Sequence, residues 1–226
     1  MISVIVPVLN ERKALPGLLD HLAAQAGDFE VIVVDGGSTD GTQALADACP
    51  LARLVPSRRG RGAQLNAGVR EARADAFLFL HADTRLPAGA LARLDCLLQA
   101  NPSLLAGAFR HRFEPADWRL RLVSAGNNLR CRMSRIYFGD QGIFARRSAF
   151  ERAGGFPDRP VLEDVVFCER LRTFTAAALL DECVTTDSRR FLHHGIWRTT
   201  ARGVLILVRH RFGLNSTGTG YTDEIR

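Results

Sequence analysis

The chain has 226 residues, 46% of them hydrophobic and 24% charged, with a net charge of +6. That is enough length to bury one sizeable core, and the balance is that of an ordinary globular domain. The longest late apolar run, Val204 to Val208, is too short to span a bilayer, nucleic-acid binding fits poorly because the basic residues are not interleaved with aromatics in a recognisable module, and Cys49, Cys96, Cys131, Cys168 and Cys183 show no metal or redox spacing.

From the N-terminus, Met1 leads straight into Ile2 to Val8, a buried strand with no basic leader or cleavage pattern, so a cytoplasmic placement with reduced thiols is expected. Leu15, Leu18, Leu19 and Leu22 follow at helical spacing. Phe29 to Val34 is continuously apolar, as a parallel strand covered on both faces should be. Thr39 or Asp40 is placed to cap the helix carrying Ala44, Leu45 and Ala48. A weaker strand, Leu51 to Val55, precedes a helix over Ala63 to Ala72, then a buried strand over Ala76 to Leu80 and a helix after Pro87 marked by Leu91, Leu94, Leu97 and Leu98. Strands alternating with helices predict βαβ units and a parallel sheet.

After Asn101-Pro102 the rhythm changes. Leu105 to Phe113 reads as a strand, Trp118 to Met133 as a basic amphipathic helix, and Ile136 to Ala145 as a strand region broken by glycines. Val161 to Phe174 is predicted helical, Ala176 to Cys183 a strand, and Trp197 to Phe212 a final helix. There is no repeat or linker-like stretch. Residues 1–100 carry 10 basic and 11 acidic side chains, so the whole positive excess lies in residues 101–226, and every basic residue except Lys13 is an arginine.

Open parallel sheets bind ligands outside the carboxyl ends of their strands. Three predicted strands end there in polar residues: the first in Pro7-Val8-Leu9-Asn10-Glu11, the second in Asp35-Gly36-Gly37-Ser38-Thr39-Asp40-Gly41, and the fourth in His81-Ala82-Asp83. One such ending is ordinary turn chemistry, whereas three bring carboxylates to one edge. No G-x-G-x-x-G opens the first helix, which argues against a dinucleotide enzyme.

The ordered set Val4 to Glu11, Val33 to Thr42, Arg61-Gly62-Ala63-Gln64-Leu65-Asn66-Ala67-Gly68, His81-Ala82-Asp83 and Glu163-Asp164 resembles family 2 glycosyltransferases. Within that family it is most similar to the radical-SAM/selenodomain-associated transferases. The resemblance implies an α/β GT-A fold, a mostly parallel central sheet flanked by helices, formed as a single domain over 1–226. Residues 1–100 would bind the nucleotide-sugar, and 101–226 would form the acceptor-side lobe and a helical tail. It implies a nucleotide diphosphate-sugar donor, UDP-linked by family expectation, contacted by Pro7, Asn10, Glu11, Asp35, Gly37, Ser38, Arg61, Gln64, Asn66, His81 and Ala82.

It further implies Asp83 as ligand to Mn²⁺ or Mg²⁺, with His81 standing where the family's metal motif usually begins with an acid. One carboxylate can suffice for such a cation when water and phosphate complete its shell. The imidazole then serves as ligand, as outer contact or as packing. Asp164 is implied as the general base on the acceptor hydroxyl, beside Glu163; both would otherwise be ordinary acids in a helix's first turn. Gly139-Asp140-Gln141-Gly142 resembles an acceptor-side loop, although its glycines equally serve to break a strand. His193 and His194 read as a surface pair, although a late histidine completes the metal shell in some enzymes of the GT-A fold.

The implied reaction is a single inverting displacement, since the Gln-x-x-Arg-Trp motif of processive members is missing. A sugar-1-phosphate nucleotidyltransferase and a non-catalytic nucleotide-sugar-binding module are the rival readings. The first is disfavoured by the lack of a glycine-rich opening loop, the second by the presence of both Asp83 and Asp164. Acceptor and oligomeric state are open. The two basic amphipathic helices are expected to pack their apolar faces on the core and leave arginines in water, giving at most a salt-sensitive peripheral contact with an anionic membrane.

Overall fold

A computed structural model describes residues 1–214 of the chain. The end of the predicted 1–226 domain, residues 215–226, lies outside the described residues. The first half alternates as expected: β1 (Ile2–Val8), α1 (Leu15–Ala23), β2 (Phe29–Asp35), α2 (Thr42–Asp47), β3 (Ala52–Pro56), α3 (Arg61–Glu71), β4 (Ala76–Phe79) and, after a two-residue β5 (Thr84–Arg85), α4 (Ala90–Ala100). Then come β6 (Ala106–Glu114), α5 (Trp118–Ser134), β7 (Ile143–Arg146), α6 (Arg147–Arg152), α7 (Glu163–Leu171), β8 (Ala178–Asp187), α8 (Arg189–His194) and α9 (Ile196–Arg211).

Among the described residues, the eight strands form one sheet in the order β3-β2-β1-β4-β7-β6-β8-β5. The pairs β3/β2, β2/β1, β1/β4 and β6/β8 are parallel; β4/β7, β7/β6 and β8/β5 are antiparallel. The mostly parallel α/β sheet inferred from sequence is therefore present.

Alternation along the strands sorts the core into two layers. Val4, Val6 and Val8 of β1 join the leucines of α1 and α4 on one face. Ile5, with Ile32 and Val34 of β2, joins Leu65 of α3 and Phe167 of α7 on the other. A third, small cluster ties Phe113 of β6 to Leu120 of α5, Phe191 of α8 and Ile196 of α9.

Three expectations are corrected. The strand predicted over Ile136 to Ala145 shrinks to β7, because residues 139–141 form a 3-10 turn whose Gln141 carboxamide is buried. Asp40 accepts from the Thr42 N–H one residue earlier than a helix cap would, with Gly41 at the cap position itself. The basic helices hide only part of their apolar side chains: Leu120 of α5 and Ile196 and Ile206 of α9 are buried, but Trp118, Leu122, Leu129 and Met133 of α5 are exposed, as are Trp197, Val204 and Val208 of α9. The third cluster is small and engages only one side of each helix.

Candidate functional site

Strands β1, β2 and β4 run parallel, so their carboxyl ends share one edge. Pro7 lacks an N–H, yet it sits where β1 outruns β4, whose pairing with β1 stops at Ile5–Phe79. The β1 and β2 ends are laced together. Asn10 N–H donates to Ser38 Oγ (2.8 Å), Thr39 N–H to Asn10 Oδ1 (2.9 Å), and Arg12 N–H to Asp40 Oδ2 (3.1 Å). Asn10 holds a left-handed φ of 57°, a conformation asparagine tolerates. These loops border a cleft lined by Asn10, Glu11, Lys13, Asp40 and Arg189. Glu11's carboxyl is raised by burial and by the like charges of Asp83 and Asp40, against the pull of Arg189.

Asp35 ends β2 with its side chain turned onto its own loop. Its oxygens accept from Gly37 N–H (2.8 Å), Ser38 N–H (3.0 Å) and Gln43 Nε2 (2.6 Å). Burial opposes its charge, but those bonds prevail and hold the carboxyl below its ordinary value. Gly37 has φ +94° with open space about its α-carbon, so backbone conformation rather than crowding calls for glycine there.

Four residues expected to meet substrate are engaged inside the protein. Gln64 Nε2 donates to the carbonyls of Val8 (2.8 Å) and Val34 (2.9 Å), clamping β1 to β2. Asn66 exchanges two bonds with the Phe156 backbone, at 2.8 and 2.9 Å. Ala82 is buried. Gln141 accepts from Phe138 N–H (3.0 Å) and donates to the Phe109 carbonyl (3.3 Å). Each of these residues thus makes contacts within the protein.

Across the edge, α7 brings Glu163 and Asp164. Leu162, immediately before them, has a left-handed φ of 62°, a strained state for a residue with a Cβ. Buried Glu163 pairs with Arg61 at 2.9 Å. Asp164 Oδ2 accepts from Gly139 N–H (2.7 Å) and Oδ1 from Val165 N–H (2.7 Å). Burial and the Glu163 charge push the Asp164 carboxyl well above the usual carboxylate range, although Arg61 and the two N–H groups pull the other way. Gly139 is wedged against His81: a Cβ there would lie 2.5 Å from Nε2. Burial and Arg61 hold His81 down to about 3, so its ring is neutral at physiological pH.

Beside them is an acidic pocket. Asp83 is raised by burial, by Asp140 and by Asp187. Asp140 Oδ1 is buried without a hydrogen-bond partner among the described residues, as are both ring nitrogens of His111, which is 1% exposed. His111 Nε2 lies 3.7 Å from Asp140 Oδ2, too far for a hydrogen bond. Asp187, at the end of β8, donates its N–H to the Asp83 carbonyl (3.4 Å).

His111 and Asp187 escaped the sequence reading. The alternation Phe109, His111, Phe113, which turns all three to the buried face of β6, was the available signal for His111. His193 and His194 meet edge to face on α8 with ring centroids 4.7 Å apart, the first exposed and the second half-buried.

Among the described residues, no three His, Cys, Asp or Glu side chains converge enough to enclose an ion alone. Paired aspartates with an unpartnered buried oxygen nonetheless suit a hard cation that draws its remaining oxygens from water and a diphosphate. Asp83 and Asp140 are the residues that would hold it.

Comparison with known proteins identifies the family and the fold. The profile of Glycosyl transferase family 2 matches residues 3–156. A PGL/p-HBAD biosynthesis glycosyltransferase of Mycobacterium bovis is 34% identical over 197 residues, covering 80% of this chain and 72% of the relative. An undecaprenyl-phosphate 4-deoxy-4-formamido-L-arabinose transferase of Pseudomonas savastanoi is 26% identical, and this chain spans 52% of it. A mannosyltransferase from Pyrobaculum calidifontis, solved with GDP-Man and Mn²⁺, superposes with a TM-score of 0.69 at 24% identity, covering 91% of this chain and 61% of that one. At that identity the likeness is one of fold, and the fold is GT-A. The chain belongs to glycosyl transferase family 2.

Proposed function

We propose that this family 2 glycosyltransferase moves a sugar from a nucleoside diphosphate-sugar to an acceptor hydroxyl by one inverting, non-processive displacement. The observation that carries the reading is Asp164, a buried carboxyl of raised pKa held by the Gly139 and Val165 N–H groups beside the Arg61–Glu163 ion pair. A base of that kind takes a proton from a hydroxyl near neutrality once substrate brings the two within hydrogen-bond reach.

In this reading residues 1–100 receive the donor. The loops of Pro7, Asn10, Glu11, Asp35, Gly37 and Ser38 would contact the nucleoside, which is UDP- or GDP-linked. Arg61 lies near enough to His81, Asp83 and Asp164 to influence all three charges, so its guanidinium would offset negative charge on the departing diphosphate. Asp83, with Asp140, would hold Mn²⁺ or Mg²⁺, and the bound cation would supply Lewis-acid stabilisation of that leaving group. His81, kept neutral, would orient the Gly139 backbone against Asp164. Residues 101–226 would receive the acceptor, and the closer kinship with radical-SAM/selenodomain-associated transferases is part of the same proposal. A cytoplasmic setting is consistent with five free cysteines.

The test is incubation with UDP- and GDP-sugars, Mn²⁺ and a panel of hydroxyl acceptors, and in parallel with nucleoside triphosphates, sugar phosphates and Mn²⁺, read by mass spectrometry. Release of nucleoside diphosphate with a glycosylated product is expected. Release of pyrophosphate from a nucleoside triphosphate and sugar phosphate would mark a nucleotidyltransferase. Tight donor binding without any product would mark a binding module.

A further inference from the structure

Every large hydrophobic side chain exposed among the described residues, Met1 apart, lies on α5, α8, α9 or the three residues after α9. On α5, Trp118, Leu122, Leu129 and Met133 are spaced i, i+4, i+11 and i+15, which sets them on one stripe. On α9, Trp197, Val204, Val208 and Phe212 repeat the pattern as i, i+7, i+11 and i+15. These stripes are distinct from the inner contacts, since Leu120, Phe191 and Ile196 already pack on Phe113. α9 packs against both α5 and α8, so the exposed residues belong to one group of neighbouring helices. Patches of this kind mark interaction sites rather than ordinary surface.

The charge of the same helices identifies the partner. α5, α8 and α9 together carry ten arginines and no Asp or Glu. A second copy of the chain, meeting this face with its own, would set arginines against arginines. A nucleic acid would answer the arginines but leave the aliphatic leucines, valines and methionine without stacking partners. The last twelve residues hold only Tyr221 and Ile225 as large apolar side chains, too few to cover two stripes. An anionic lipid surface satisfies both features, taking apolar stripes into the acyl boundary and arginines among the phosphates.

We propose that α5, α8 and α9 form a peripheral docking face for an anionic membrane. The face begins at the rim of the candidate site: α8 opens with Arg189, which lines the cleft beside Glu11 and lies two residues beyond Asp187. If glycosyl transfer also holds, the acceptor class narrows to hydroxyl compounds resident at a membrane. The docking face itself stands on composition and exposure, independently of that activity.

The two tryptophans of the chain, Trp118 (69% exposed) and Trp197 (51% exposed), lie one on each stripe and report on it without labels. The experiment mixes the full chain with phosphatidylcholine vesicles, with or without phosphatidylglycerol, at low and high salt. Phosphatidylglycerol vesicles are expected to shift tryptophan emission to the blue. Brominated acyl chains should quench it, and salt should weaken the partitioning. Arg121→Glu and Arg198→Glu should each lower partitioning by about fivefold or more, the factor expected per basic residue at an anionic surface. Met133→Ser with Val204→Ser should lower it at high salt as well.

Absence of vesicle binding by folded chain overturns the proposal, as does equal partitioning into neutral vesicles. Concentration-dependent self-association that buries both tryptophans in place of lipid assigns the face to a second copy. Retention by a polyanion such as RNA but not by vesicles assigns it to nucleic acid. None of these readouts depends on turnover, so failure of the docking face and failure of the transferase reading are separately visible.

Discussion

Two opposing influences act on Asp164. Burial and the Glu163 carboxylate favour its neutral form, whereas Arg61 and the N–H groups of Gly139 and Val165 favour the anion, and the first pair prevails. A general base works only as the anion. On the proposed mechanism kcat/KM therefore rises with pH, along an acid limb lying above that of an ordinary aspartate near 3.8. Glu163→Gln removes the like charge and frees Arg61 from its 2.9 Å pair; both changes favour the anion. The limb is expected to move to lower pH in a kcat/KM profile, and an alkaline displacement would contradict the assignment. Asp164→Asn should leave calorimetric donor affinity intact while turnover falls about 10²-fold or more; full turnover would place the base elsewhere. The acids at the site edge were legible in the sequence because strand ends and order locate them. The amides were not: Gln64, Asn66 and Gln141 stand beside the same motifs, but their partners are backbone groups as far as 90 residues away in the chain. Nothing local in the sequence distinguishes an amide that clamps a loop from one that meets a ligand.

The stretch from Arg61 to Gly68 shows what a motif does as an element. Gly62 and Gly68 let α3 lie close against its neighbours: a Cβ on Gly68 would stand 2.5 Å from Ile5 Cγ2 and 3.0 Å from Val34 Cγ2. Gln64 and Asn66 then fasten the helix to the β1–β2 ends and to the loop before α7. The motif thus sets the distance between the sheet edge and the Asp164 loop. Gly68→Ala should overpack this contact and cost about 1–3 kcal/mol, seen as a lower urea midpoint at unchanged slope; an unchanged midpoint would mean α3 can withdraw freely. Long periodic elements were readable for a related reason. The leucines of α1 and α4 and the unbroken apolar run of β2 repeat often enough to define a period. β5 has two residues, while α6 and α8 have six each, and none completes two turns or two alternations. α5 and α9 were read as helices, but their exposed stripes were assigned to the core, because periodicity reveals an apolar face without saying what covers it.

The whole molecule places the candidate site across the junction of its two halves. β1, β2 and β4 come from the near-neutral first hundred residues; Asp140, Asp164 and Asp187 come from the basic remainder, joined to them through the antiparallel β4/β7 pair. A ligand gripping residues from both halves binds the folded chain and not the unfolded one, so it must raise the temperature of global unfolding. At about a hundred times its Kd it adds about 2.7 kcal/mol, and in a chain of this size each kcal/mol moves Tm by about 2–4 °C. UDP or GDP with Mn²⁺ is therefore expected to raise Tm by about 5–11 °C at such a concentration. Chelation should reverse most of the shift, because without the cation the Asp83 and Asp140 charges confront a diphosphate of the same sign. Asp83→Ala should lose the Mn²⁺-dependent part while keeping its own baseline Tm or rising slightly, since burial and two like neighbours already disfavour that carboxylate. Differential scanning fluorimetry of the two proteins, with and without EDTA, measures all four quantities. An equal shift in EDTA would remove the cation from the donor site, and no shift with either nucleotide would remove the nucleotide.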